Sequence, residues 1–257
     1  MSMFLTLAFL FAIGSVAGWV LEVFFRRFYS AGNPGRKWIN PGFCTGPYLP
    51  IYGCGLCVLY LISIQETYSI IENALLNKVV LFAAMAVSMT IIELVAGLWC
   101  LKITKVRLWD YSNEWGNYEG VICPKFSLFW AILGAAYYFL IHPHILNALK
   151  WLSMNLAFSF GIGLFFGIFI IDAVHSAQLI AKLKKYANEN QVIVRFEQIK
   201  EAIQVHHIKA KQKYHFFRPF RTERPLSSYL SELRSSFEEV KHRSEDIAIT
   251  SGTIKKQ

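Results

Sequence analysis

The sequence predicts an all-α fold: a polytopic membrane bundle of about five transmembrane helices carrying a basic, partly helical cytoplasmic tail. Three observations carry this expectation. Hydrophobic residues make up 54% of the 257-residue chain and charged residues only 17%, well under the roughly 25% usual in soluble domains. The charge is segregated, with long uncharged runs in residues 1–180 and Lys and Arg crowding residues 181–257. Most of the apolar runs approach or reach the length needed to cross a hydrocarbon core of about 30 Å. The expected division is therefore a transmembrane domain over 1–180 and a soluble tail over 181–257, whose end is expected to be disordered. A net charge of +9 fits cytoplasmic loops facing anionic lipid better than it fits nucleic acid.

The first span covers residues 3–25. It is too long for a cleavable signal and ends in Glu22 and Arg26-Arg27 rather than a small-residue cleavage site. Gly14 and Gly18 give it a small-residue face for close helix contact, and Glu22 continues that face one turn on. A second span rises out of a proline- and glycine-rich stretch and runs to about Ile64. The third covers 78–101, with Glu93 in its second half and Gly97 four residues later. A short fourth span over 126–141 is followed by His142-Pro143-His144, which is expected to turn the chain. The fifth covers 151–174, with Gly161, Gly163 and Gly167 available for packing and Asp172, His175 and Ser176 at its exit.

Positive charge sets the expected orientation. Arg26, Arg27, Arg36 and Lys37 follow the first span, Lys102, Lys105, Arg107 and Lys125 surround the third loop, and Lys182, Lys184 and Lys185 follow the last span. The other two loops carry one lysine each. With five spans this places the N-terminus outside and the tail in the cytoplasm. In the tail, 192–208 has moderate helical periodicity. Residues 209–224 interleave basic residues with Tyr214, Phe216, Phe217 and Phe220, a pattern suited either to a lipid headgroup interface or to a solvated linker. A further short helix is expected over 226–243.

Residues 38–55 hold three prolines and four glycines, yet are aromatic and apolar. Surface loops are normally polar because water satisfies their backbone. This one reads as shaped backbone at the mouth of the bundle, with Pro41, Gly42, Gly46, Pro47, Pro50 and Gly53 as its structural residues. Residues 109–130 form its counterpart, with Gly120 in the equivalent role. Asn40, Gly42, Cys44 and Pro47 echo Asn117, Gly120, Cys123 and Pro124. Each half then consists of a Glu-bearing helix, a basic exit, a shaped loop and a returning helix, the pattern of a parallel internal repeat.

Carboxylates within a membrane are costly and face the bundle interior. Glu93 is flanked by apolar residues for several turns and is the first candidate for binding a cation, a proton or a polar solute group; its structural alternative is pairing with a basic loop residue. Glu22 is the second candidate, although Arg26 stands at i+4, where a helical ion pair forms readily. Trp109, Asp110 and Tyr111 join an acid to two aromatic rings, and Asp110 equally suits a capping role. Asn40 and Asn117 precede glycine-containing turns and are natural turn residues as well as candidate ligands. Asp172, His175 and Ser176 superficially resemble a hydrolase triad, but neighbours on one helix seldom converge as a triad requires.

Five cysteines, Cys44, Cys54, Cys57, Cys100 and Cys123, form no regular framework. Cys54 and Cys57 have redox or zinc spacing but lie in an apolar segment without a second ligand pair, which favours helix packing. No phosphate-binding loop, His-Glu-x-x-His metal site, haem attachment motif or arginine ladder occurs. No cofactor or metal is expected, and no catalytic residue is assigned.

Several motifs resemble one bacterial group of membrane proteins. They are Asn40-Pro-Gly-Phe43, Gly46-Pro-Tyr-Leu-Pro-Ile-Tyr-Gly53, Glu93-x-x-x-Gly97, Trp109-Asp-Tyr-Ser112 and Asn117-x-x-Gly120-x-Ile-Cys123, followed by Phe126-Ser-x-x-Trp130. Over residues 18–130 they are similar to the ABC-transporter permease family of type IV (CmpB-like). The family often places a second acid about eight residues after the Glu of its third helix, where this chain has Leu101. The resemblance implies a transport-system component with a separate ATPase subunit, and five spans imply a homodimer. Membrane lipids are expected partners and nucleic acid is not. Two other classes stay open: a membrane-embedded enzyme acting on a lipid or lipid-linked substrate, and a scaffold or regulator that recruits partners through its tail.

Overall fold

The computed structural model describes residues 2–200 other than 31, 32, 34, 69–72 and 197, together with Ser231. The expected helix over 226–243 and the aromatic–basic stretch over 209–224 lie outside the described residues, apart from Ser231. The chain divides into two compact units, Met1–Arg195 and Phe196–Gln257, and the long apolar helices all belong to the first.

Six α-helices build this first unit among its described residues. Helix α1 (Met3–Phe28) starts from Ser2, whose hydroxyl accepts the Leu5 amide, and ends on Arg26 and Arg27, where cations complement the helix dipole. Helix α2 (Pro50–Ser63) starts at a proline, whose missing N–H costs nothing in a first turn. Helix α3 (Ala74–Trp99) is capped by Asn73, which accepts the amides of Leu75 and Leu76. Helix α4 (Pro124–Ala136) again begins at a proline, α5 runs over His142–Met154 and α6 over Ser159–Asn190.

Among the described residues, four continuous helical stretches are long and apolar enough to cross a membrane: Met3–Phe28, Ala74–Thr104, Pro124–Met154 and Leu156–Asn190. The expected second span is the shorter helical stretch Pro50–Glu66, which at 1.5 Å per residue reaches about 25 Å. His142-Pro143-His144 does not turn the chain. A wide helical turn over Tyr137–Ile141 joins α4 to α5, and Pro143 falls in the first turn of α5, where its missing N–H is tolerated. The chain turns instead near Asn155, whose backbone leaves helical geometry.

Helix α1 packs on α2, α2 on α3 and α3 on α4. Leu10, Leu59, Met85, Met89, Trp130, Tyr137, Ile145 and Leu149 form the common core. The approach of α1 to α2 requires Gly18, because a Cβ there would overlap the ring of Tyr52. Elsewhere large apolar side chains such as Phe4, Leu75, Phe139 and Phe160 lie exposed, an arrangement suited to lipid as solvent and unsuited to water. A Cβ added at Gly161, Gly163 or Gly167 would meet nothing within 4 Å among the described residues, so the close packing expected of them is not seen there.

Beyond α3 a second wide turn, Cys100–Thr104, leads to Lys105 in the left-handed region and to strand β1 (Val106–Arg107). It pairs in parallel with β2 (Val194–Arg195), Val106 against Val194. The helical periodicity read over 192–208 therefore begins with a strand bridge. This pairing ties the end of α6 to the loop after α3, so two of the basic segments lie at one end of the bundle.

Candidate functional site

The shaped loop after α1 is held by side chains from two distant helices. Asn40 is 1% exposed; its Nδ2 donates to the carbonyls of Cys44 (3.3 Å) and Thr45 (3.0 Å), and its Oδ1 accepts the Trp19 indole N–H at 2.7 Å. The Leu49 amide donates to the Ser15 carbonyl at 2.9 Å, pinning the loop to α1. From α6, Asp172 accepts the Thr45 amide (2.9 Å), the Gly46 amide (2.8 Å) and the Tyr48 hydroxyl (2.5 Å). Burial and the adjacent Asp172 push the Tyr48 hydroxyl far above the usual tyrosine range. Ser176 donates to Asp172 at 3.4 Å, and Asp172 faces the loop. Asp172, supported by Ser176, is thus a clasp for the first loop, and no hydrogen bond from Ser176 to His175 is formed among the described residues.

The loop after α3 is organised on the same plan by its own residues. Asn117 donates to the carbonyls of Ser112 and Glu114 and accepts the Gly120 amide. Gly42 and Gly120 both take positive φ, 73° and 67°, conformations that glycine adopts without a Cβ penalty. Cys44 and Cys123 are both buried, and the helices that follow both begin with proline. Asp110 pairs with Arg107 at 2.8 Å and Arg195 at 3.3 Å and accepts the Ser112 amide and hydroxyl. Partial burial raises its carboxyl pKa, but the Ser112 donors and the two arginines outweigh this and hold it below the ordinary aspartate range. Trp109 donates to the Val121 carbonyl at 2.8 Å. Asn40, Asn117, Asp110 and Trp109 therefore use the polar contacts described to hold the loops and tie them to flanking elements.

Three other candidates converge differently. Glu22 accepts Arg26 Nε at 2.9 Å and the Tyr52 hydroxyl at 2.9 Å. Glu93 is 3% exposed; its Oε1 accepts the Tyr111 hydroxyl at 3.0 Å, while its Oε2 is buried without a hydrogen-bond partner among the described residues. The two carboxylates interact electrostatically, and the Trp130 side chain acts on Glu93 from α4. The Tyr52 and Trp130 rings lie 5.1 Å apart, and Tyr111 stacks on Phe126 at 4.2 Å. Burial first, and then the charges of Glu93 and Glu22, hold the Tyr111 hydroxyl well above the usual tyrosine range. The result is a pair of acids within an aromatic wall of Tyr52, Tyr111 and Trp130. Of the wall, Tyr52 and Trp130 are residues that sequence reasoning did not single out as site members, although each lay within a quoted motif.

Chemically, one buried carboxylate oxygen without a donor, beside a second carboxylate, suits a positively charged or donor-rich group, and the aromatic faces suit the same charge. Among the described residues no cluster of three or more His, Cys, Asp or Glu side chains is placed to hold a metal ion.

The arrangement defines a helical membrane protein with a carboxylate-bearing interior. Residues 9–177 match the family described as "Putative ABC-transporter type IV". The chain belongs to this family, and with its long apolar helices it is a multi-pass membrane protein. Comparison with curated proteins found no match, and comparison with solved structures found none either.

Proposed function

We propose that the chain is the membrane-embedded subunit of an ABC-type transport system and that Glu22 and Glu93, walled by Tyr52, Tyr111 and Trp130, form its polar solute site. Asn40, Asn117, Asp110 and Trp109 serve this site by shaping the two loops that flank it. The single observation that supports the reading is the buried Glu93 Oε2, which has no hydrogen-bond partner among the described residues and lies within electrostatic reach of a second carboxylate. A buried acceptor of this kind costs about 1–3 kcal/mol while unpaired, and a cationic or donor-bearing solute, or a proton in transit, relieves that cost. The basic loops put this end of the bundle in the cytoplasm, with the N-terminus outside.

The chain carries no phosphate-binding loop, so energy comes from a separate ATPase subunit docked on the cytoplasmic face. Two copies of the chain complete the permease, and membrane lipids surround it. The rival readings, a lipid-directed enzyme and a tail-based scaffold, predict different outcomes for one experiment. The full chain is purified from its native membrane and co-purifying ATPase is sought; ATP-driven solute flux is then compared between wild type and Glu93→Gln in proteoliposomes. The transport reading expects an ATPase subunit and flux lost in the variant. Absence of both, with membrane lipid species altered on deletion of the gene, overturns it in favour of the enzyme.

A further inference from the structure

We infer that a second site, outside the carboxylate pair, binds a phosphate group at the inner end of α3. A cavity of about 440 Å³ opens there between the turn after α3, the 109–123 loop and the segment before β2. Lys102, Lys105 and Arg107 line it against a single carboxylate, Glu119, and Leu101 and Ile193 supply its apolar wall. Three cations facing one acid leave a net charge of +2 (3 − 1) in a concave space with room for a phosphate and its first waters.

The ion pairs within the cavity are weak or partial. Lys102 reaches Glu119 only at 3.4 Å, with side chains 58% and 41% exposed, so water competes for both. Arg107 is nearer to fully engaged, but its bonds to Asp110 and Ser112 both run through one terminal nitrogen, leaving the rest of its fork available. Lys105 makes no ion pair among the described residues, and its backbone, like that of Glu119, is left-handed at φ 57° and 51°. The wide turn over Cys100–Thr104 and the β1–β2 pairing fix where these side chains emerge.

A cationic cavity with an apolar wall at the end of a membrane-spanning helix suits a phosphate carried on an anionic lipid headgroup, and the same donors suit a free phosphate. Phosphate binding here does not depend on the transport reading of Glu22 and Glu93.

The test uses full-length protein in a neutral detergent. One arm adds vesicles of phosphatidylcholine containing a tenth phosphatidylglycerol and counts retained lipid by native mass spectrometry. The other arm measures inorganic phosphate binding. Selective retention of phosphatidylglycerol is expected, falling about tenfold in the Lys102→Gln/Lys105→Gln double variant. Glu119→Gln, which frees Lys102, raises retention about two- to fivefold, a gain that misfolding does not produce. Inorganic phosphate binding with the same lysine dependence, without lipid retention, assigns the site to a soluble phosphate. Binding of neither probe, or binding of both that ignores all three substitutions, overturns the inference.

Discussion

Asp172 offers the sharpest test of how the first loop is held. The Asp172→Asn substitution keeps the side chain's size and one acceptor oxygen, but turns an NH2 group toward donors. Three loop donors converge on the carboxylate: the Thr45 and Gly46 amides and the Tyr48 hydroxyl. Hydrogen bonds to a charged acceptor contribute about 1.5–3 kcal/mol each, and the low end applies because Asp172 is only half-buried. An asparagine oxygen retains about one of the three, so the loss is two bonds, or about 3 kcal/mol. In a unit of this size that corresponds to a fall in apparent melting temperature of about 6–12 °C. The assay is a thermal melt of detergent-solubilised protein followed by intrinsic fluorescence. Tyr48→Phe, which removes one donor, lowers the midpoint by about half as much. In the double variant the two effects are less than additive, because the two side chains share one bond. A midpoint for Asp172→Asn within about 2 °C of wild type refutes the clasp.

Other predictions concern the carboxylate pair and its supports. Gly18→Ala puts a methyl group into the Tyr52 ring, costing about 1–3 kcal/mol by overpacking and displacing Tyr52 from Glu22; an unchanged melt contradicts the packing. Tyr111→Phe preserves the stack on Phe126 but leaves Glu93 without its hydrogen bond, a loss of about 1–3 kcal/mol on the same melt. Asp110 has a folded-state pKa below its ordinary value of 3.8. Its stabilising contribution is therefore full well above pH 4 and is lost as pH falls through the lower folded-state pKa. Asp110→Asn flattens the decline in melting temperature below pH 4, and an unchanged acid profile contradicts the Arg107 and Ser112 contacts.

The features legible in the sequence divide from the rest along physical lines. The Glu-bearing helices and the asparagine–glycine turns rest on local chemistry, so composition and spacing are enough to find them, whereas Pro50 and Pro124, read as loop residues, start α2 and α4. Glu22 and Glu93 stood out because a carboxylate among apolar residues needs a reason wherever it lies. The sequence shows Asp172 only as a polar residue at a helix exit, because its partners Thr45 and Gly46 lie more than 120 residues away and nothing local points to them. Tyr52 and Trp130 were invisible as site members for a related reason: aromatic residues fill membrane helices generally, and only the folded packing shows which rings face an acid. The His142-Pro143-His144 segment misled because proline near the end of an apolar run normally stops a helix. The wide turn over Tyr137–Ile141 absorbs it instead. The strand bridge of Val106 with Val194 involves only two residues per strand, too few for alternation to be read.

The proposal that Glu22 and Glu93 form one solute site is tested most directly by a double-substitution cycle on solute-stimulated ATP turnover of the proposed complex with a separate ATPase subunit. Glu22→Gln and Glu93→Gln are measured singly and together. If both carboxylates hold the same group, each single variant loses most of the stimulation and the double variant loses little more. Independent losses that multiply in the double variant, or full stimulation with either carboxylate removed, contradict the paired site.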